Sequence, residues 1–170
     1  MKAPICNVCL KSEGELCSMC EEKYDKGEIS DVDVRISRIL KELSGDHGSL
    51  QDSEIKKVFD MENVTVVVTA EGDGAKVVGR QGEIVKQIAD RLDTSIRVVE
   101  SAEDDREVIK GLLSPAEIES INTVFAPEGE SKKIVVDRDY EGKINLSNQE
   151  FEEIISDITG TDYRLSFEEV

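Results

Sequence analysis

Residues 64–100 constrain the fold of this chain more than any other stretch. They begin with a β-branched run, Val64–Thr69, which is typical of a buried strand and too short to cross a membrane. Apolar residues then recur at helical spacing over 84–92, and a further apolar run follows over 96–99. Between the first strand and that helix, residues 75–78 form a short apolar segment that leads into a glycine-rich loop. The stretch therefore predicts strand, short helix, loop, helix and strand, in that order.

The loop reads Gly79-Arg80-Gln81-Gly82 and has a chemistry suited to phosphate. Glycines at both ends allow a sharp turn and a close approach to a ligand, because they carry no Cβ atom. The helix that follows begins with free N–H groups and the positive end of its dipole, which favours an anion. Arg80 and Gln81 would point outward as donors. The alternative interpretation is a glycine hinge between two structural helices.

The segment GAKVVGRQGEIVKQIADRL resembles the first KH domain of the transcription factor NusA. A KH domain holds about four nucleotides of single-stranded RNA or DNA across its Gly-x-x-Gly loop. The resemblance implies that basic side chains near the loop contact phosphates and that apolar side chains lie beneath the bases. The RNA-binding residues predicted on this basis are Lys76, Gly79, Arg80, Gln81, Gly82, Ile84 and Lys86, with the strand around 96–98 completing the apolar floor.

All four cysteines lie in residues 1–28, as Cys6-x2-Cys9 and Cys17-x2-Cys20. Two such pairs at this separation predict a tetrahedral metal site with four thiolate ligands. Four protein ligands leave no open position for water, so we expect one structural zinc in a treble-clef or ribbon-like finger. An iron site of the rubredoxin type and a redox dithiol are the alternatives. A segment this small would depend on its metal to fold. Residues 21–27 should form a short helix after the second cysteine pair.

Residues 30–100 predict the order helix, strand, strand, helix, Gly-x-x-Gly, helix, strand, which is the element order of a type II KH domain. Ser30 or Asp31 should cap the first helix, whose apolar face runs from Val32 to Leu43, and residues 54–61 should form the first strand. His47, the chain's one histidine, is expected to be a solvated loop residue.

Residues 113–170 predict a second α+β unit after an acidic helical connector over 101–113. Two strands over 121–126 and 132–137, a helix capped by Ser147 and a final strand over 163–167 match the element order of a second KH domain. The loop before the helix, residues 144–148, has no Gly-x-x-Gly, so we interpret the unit as a degenerate KH-like domain. An unrelated α+β cap is the alternative. The fold class is therefore α+β: a zinc finger, a type II KH domain and a degenerate KH-like domain.

Charge limits how the chain could bind nucleic acid. The net charge is −17, and residues 101–170 supply −11 of it, with 7 basic and 18 acidic side chains. This excludes a general affinity for nucleic acid, which depends on Lys and Arg. Residues 53–100 are nearly balanced, with 7 basic and 9 acidic groups. Trp is absent and aromatic residues make up 4%, so base stacking cannot dominate.

These observations favour a non-catalytic, NusA-like protein of an archaeon that binds single-stranded RNA in transcription elongation or termination, or binds ribosomal RNA. The alternative is a module that docks on a ribosome or RNA polymerase and whose Gly-x-x-Gly loop is vestigial. No enzyme motif or small-molecule site is recognisable. Without a membrane-length apolar run or a signal-peptide core, we expect a cytoplasmic protein.

Overall fold

The computed structural model describes residues 1–170, which form two compact α+β units. The first unit comprises residues 1–60 and 64–101, and the second comprises residues 61–63 and 102–170. Each unit contains one three-stranded sheet. The predicted mixed α+β class is confirmed. None of the helices combines the length and the apolar character that crossing a bilayer requires.

The sheet of the first unit consists of β1 (Ile55–Asp60), β2 (Val64–Thr69) and β3 (Ser95–Glu100). The order is β1-β2-β3; β1 is antiparallel to β2, and β3 is parallel to β2. All six residues of β2 are buried, as expected for a central β-branched strand. A parallel neighbour requires a crossover. Two helices supply it, α4 (Gly74–Val78) and α5 (Glu83–Leu92).

The third helix of this unit, α3 (Asp31–Leu43), begins at a capping box. Ser30 accepts a hydrogen bond from the Asp33 N–H, while Asp33 accepts one from the Ser30 N–H at 2.8 Å. The other oxygen of Asp33 accepts the N–H of Val58 in β1 at 2.7 Å, which ties the helix start to the sheet. The apolar faces of α3, α4 and α5 share one core: Ile36, Leu40, Leu43, Leu50, Ile55, Val58, Val67, Val77, Ile84 and Ile88.

Two short helices precede α3, namely α1 (Asn7–Lys11) and α2 (Ser18–Asp25). The prediction placed a helix after the second cysteine pair, at 21–27. In the structure α2 begins three residues earlier, within that pair. Each cysteine pair therefore spans the start of a helix.

The second unit repeats the sheet topology of the first. Its strands are β4 (Ile118–Ala126), β5 (Gly129–Asp137) and β6 (Tyr163–Glu168), with β4 antiparallel and β6 parallel to β5. Helix α7 (Asn148–Thr159) lies in the crossover between β5 and β6, and Ser147 caps it as predicted. Strands β4 and β5 each begin three residues earlier than predicted.

The segment predicted as a connector is also a packed element. Helix α6 (Asp105–Leu113) buries Val108, Ile109, Leu112 and Leu113 completely. The apolar face is hard to recognise in the sequence, because four carboxylates, Glu103, Asp104, Asp105 and Glu107, precede it.

Candidate metal centre and nucleic-acid interface

The four cysteines form one cluster in which all Sγ atoms lie within 4.8 Å of one another. Both pairs have the same local structure. Cys6 and Cys17 are the N-caps of α1 and α2, and Cys9 and Cys20 lie in the first turn of those helices. No disulfide joins them. The cluster could hold a metal ion, as the spacing predicted.

Backbone amides complete the cluster in a reciprocal way. The Cys6 N–H donates to Cys20 Sγ at 3.3 Å, and the Cys17 N–H donates to Cys9 Sγ at 3.2 Å. A hydrogen bond donated to sulfur favours the thiolate, which is the form that binds metal.

The thiols differ in acidity according to their exposure. The backbone N–H of Cys9 lowers the pKa of Cys6 to about 6, and the backbone N–H of Cys20 lowers the pKa of Cys17. The Cys17 N–H also lowers the pKa of Cys9, but desolvation and the neighbouring thiols outweigh it and raise that pKa to about 12. Burial raises the pKa of Cys20. Two buried thiols of this kind become thiolates when a metal ion replaces their protons.

The cysteine segment, residues 1–28, packs on α3 within the first α+β unit. Ile5, Leu10 and Ile29 are buried with Cys9 and Cys20, and Val34 of α3 lies against this cluster. The Arg38 guanidinium of α3 donates to the carbonyls of Cys9 (3.1 Å) and Gly14 (2.9 Å). No local sequence pattern predicts this role for Arg38, because its two acceptors are backbone atoms 29 and 24 residues away.

The Gly-x-x-Gly loop has a backbone that depends on both glycines. Gly79 has φ 80° and ψ 173°, a combination that only glycine adopts readily. A Cβ on Gly79 would also lie 2.6 Å from Ile84 Cγ1. Gln81 and Gly82 follow with φ of 54° and 75°. The loop ends at Gly82, the N-cap of α5, and the first amide of that helix, the Glu83 N–H, donates to the Arg80 carbonyl.

The structure separates the predicted RNA contacts into two groups. Arg80, Gln81 and Lys86 are exposed. Lys76 instead pairs with Asp73 Oδ1 at 2.8 Å and donates to the Asp52 carbonyl at 3.1 Å. The hydrogen bond with Asp73 raises the pKa of Lys76 and lowers that of Asp73.

Ile84 is fully buried beneath Gly79. We therefore correct its predicted role: it supports the loop from below and cannot form a surface under bases.

Two carboxylates that the sequence did not single out hold the start of α4. Glu100 accepts the N–H groups of Gly72 (3.1 Å) and Gly74 (2.9 Å), and a Cβ on Gly74 would lie 2.6 Å from Glu100 Oε1. Asp73 accepts the Glu54 N–H at 2.9 Å. Asp73 lies at the N-cap position of α4, which is recognisable in sequence, although its side chain makes no capping hydrogen bond. Glu100 is 26 residues from its partner and gives no local signal.

His47 is not the solvated residue that we expected. Its side chain is 15% exposed and lies beside α5, with Nδ1 3.4 Å from a Glu83 carboxylate oxygen and Nε2 3.2 Å from Gln87 Nε2. The residues after α3 fold back on α5, which removes the ring from water.

The corresponding loop of the second unit has a different chemistry. A 3₁₀ turn at Arg138–Tyr140 leads to Asn145, which has φ 66°, and to Leu146, which is buried. Acidic side chains surround the segment in sequence: Asp137, Asp139, Glu141, Glu150, Glu152 and Glu153. This loop offers an anion much less favourable charge than residues 79–82 do.

Comparisons with known proteins bear on both the family and the fold. No protein-family model matches the chain. The chain is 34% identical over 67 residues to the "Probable transcription termination protein NusA" of Methanococcus vannielii, which covers 39% of this chain and 38% of that protein. The chain thus spans about two fifths of that relative's length. The crystal structure of APE1850 has a similar fold, with a TM-score of 0.56 at 22% identity, over 77% of this chain and 96% of APE1850. The chain is therefore a partial relative of an archaeal NusA and shares its fold with APE1850.

Proposed function

We propose that this protein is a non-catalytic, NusA-like protein that binds single-stranded RNA through a type II KH domain over residues 30–100 and acts in transcription. The observation that carries the proposal is the loop at residues 79–82. Its glycine-dependent backbone leads into α5 and exposes Arg80 and Gln81. The partial similarity to a NusA supports a role in transcription more than one on ribosomal RNA.

The proposed RNA contacts are fewer than the sequence suggested. Arg80 and Lys86 would neutralise phosphates, while Gln81 would donate to phosphate or base edges beside the positive N-terminus of α5. Lys76 is engaged with Asp73 and Asp52, so we assign it to the support of α4. Because only two cationic side chains contact phosphates at this loop, the affinity for RNA should fall only gradually as the salt concentration rises.

We further propose that the cysteine cluster binds one structural zinc ion. Cys6, Cys9, Cys17 and Cys20 supply four sulfur ligands, the donor set that zinc takes in structural sites. Such a site leaves no position for a substrate or a water molecule, so its role would be to hold α1 and α2 against α3.

A matched pair of double variants tests the RNA site. Arg80→Asp with Gln81→Asp keeps both glycines and reverses the charge of the loop. Arg106→Asp with Gln149→Asp makes the same chemical change at exposed positions of the second unit. We expect the loop variant to lose more than tenfold in affinity for a short single-stranded RNA, about 1.4 kcal/mol or more, and the control to lose little. Circular dichroism checks folding. Equal affinities for the two folded variants would contradict the proposal.

A second candidate function is protein docking by residues 113–170, on RNA polymerase or a ribosome. One observation favours it: Phe125, near the end of β4, is 79% exposed. If the loop variant retained RNA affinity, this docking function would become the better proposal.

A further inference from the structure

We propose that the groove between the cysteine segment and α3 is a second site for the phosphates of single-stranded RNA, used by RNA that extends beyond the nucleotides held at residues 79–82. This inference rests on the proposed RNA-binding function. The groove has a volume of about 460 Å³, and its lining includes Lys11 from the end of α1 and Arg35, Arg38 and Lys41 from α3.

The groove is cationic in a strongly acidic chain. Lys11 and Arg35 are exposed and Lys41 is partly exposed, and none of the three forms a salt bridge. Two acidic residues also line the groove, and one of them, Glu42, is neutralised by Arg91 at 2.9 Å. Glu13 is the other.

Arg38 is less available to a ligand than the other three cations, because its guanidinium already donates to the carbonyls of Cys9 and Gly14. Three uncommitted cations then face one uncommitted carboxylate, whereas the net charge of the whole chain is −17. Cations kept together against such a background favour an anionic ligand.

The groove should contact the sugar-phosphate backbone of the RNA and not its bases. No aromatic side chain lines the groove, so bases have no ring on which to stack. Its apolar lining consists of Leu10, which is buried, and Ile39. Contacts from Lys and Arg to phosphate are independent of sequence and strongly dependent on salt.

The two sites lie within reach of one RNA strand. Helix α5 begins at Glu83, three residues after Arg80, and carries Arg91 in its last turn, so Glu83 and Arg91 are separated by about 12 Å along the helix at 1.5 Å per residue. The Arg91–Glu42 ion pair joins that end of α5 to the groove. An RNA limited to about four nucleotides would occupy the loop site alone, while a longer one would reach the groove.

The test compares two lengths of oligouridylate, 4 and 12 nucleotides, on the metal-loaded full chain. The variant is Arg35→Glu with Lys41→Glu. The control is Lys23→Glu with Lys56→Glu, an equal charge change at exposed positions of the same unit outside the groove. Arg38 is left intact because its loss would loosen the cysteine segment.

We expect the groove variant to lose about tenfold in affinity for the 12-nucleotide RNA and to bind the 4-nucleotide RNA as the control does. The slope of log affinity against log salt should fall by about 1.4 for the longer RNA, since each lost phosphate contact on a single strand contributes about 0.7. The neutral variant Arg35→Gln with Lys41→Gln should show a smaller loss in the same direction. Thermal melting followed by circular dichroism checks that all variants are folded.

Equal losses for the groove variant and the control, or equal losses for both RNA lengths, would overturn the inference. A different result would show that residues 79–82 do not bind RNA. In that case, Arg80→Asp with Gln81→Asp would leave binding of the 4-nucleotide RNA unchanged. If the unmodified protein bound neither RNA, both proposals would be wrong.

Discussion

The two α+β units share a sheet topology but differ in the loop that precedes their longer crossover helix. In both, an antiparallel strand pair is followed by a helical crossover and a parallel third strand. The first unit has Gly79 and Gly82 in that loop, with exposed donors between them. The second has Asn145 and a buried Leu146. The topology therefore does not depend on the loop chemistry, and only the first loop suits an anion.

The units also differ because the cysteine cluster, which we propose to bind zinc, belongs to the first alone. Removing the metal should therefore have the largest effect and should be confined to one unit. We expect Cys17→Ser, or a chelator, to abolish hydrogen-exchange protection in residues 1–28, since structural zinc contributes about 10–16 kcal/mol of binding free energy in isolated fingers.

Hydrogen exchange of the full chain measures this effect unit by unit. Amides of residues 102–170 should keep their protection. Ser18→Ala, next to the ligand, is the matched control. Unchanged protection in residues 1–28 after metal removal would show that packing on α3 suffices without metal.

Glycine substitutions should also affect the two units differently. Gly79→Ala should destabilise the first unit by about 3 kcal/mol, because it combines a backbone conformation nearly restricted to glycine with a clash against Ile84. Gly160→Ala in the second unit should cost only about 1 kcal/mol. Gly160 also has a positive φ, of 70°, but nothing lies within 4 Å of the added Cβ. Urea denaturation followed by probes in each unit measures both values; similar costs would contradict the assigned contact.

Each unit has one capping box. The carboxylate of the first box, Asp33, is buried, whereas the second box lies at the surface. Asp33→Ala should cost about 2 kcal/mol, because it leaves the buried N–H of Val58 without an acceptor. Glu150→Ala should cost about 1 kcal/mol, since its two partner amides, at Ser147 and Glu62, are exposed to water. Denaturation midpoints of the two variants check this order.

The second box should also depend on pH. The backbone N–H of Ser147 holds the pKa of Glu150 below its usual 4.5. A depressed carboxyl pKa adds stability at higher pH, and that stability is lost as pH falls through the folded-state pKa. The difference in stability between the unmodified protein and Glu150→Gln should therefore shrink as pH falls below about 4.5. A constant difference would exclude this linkage.

The smallest effect concerns the left-handed residues of the two loops, Gln81 and Asn145. Gln81→Gly should stabilise the first unit by up to about 1 kcal/mol, because a long side chain is strained at φ 54°. Asn145→Gly should change stability by about 0.5 kcal/mol or less, since Asn tolerates this conformation. Thermal melts of the single variants measure both, and a destabilised Gln81→Gly would point to an unrecognised role for the Gln81 side chain.

Local patterns in the sequence were sufficient for most elements and for the metal ligands. The β-branched run of β2, the helical period of α5 and the caps Ser30 and Ser147 all appear where they were expected. The spacing of the two cysteine pairs predicted a cluster that the fold does assemble. These features depend on residues that are close in the chain, so short-range physics determines them.

The properties of individual side chains at the candidate sites depended on distant partners. Lys76 is engaged because Asp73 and the Asp52 carbonyl lie beside it, and His47 is shielded because its loop folds onto α5. The cationic groove exists only because α1 packs near α3. Sequence alone therefore determined which residues could bind metal or phosphate, through their chemical type and spacing. The tertiary structure decided which of them remain accessible, because burial and ion pairing are set by residues that meet only in the folded chain.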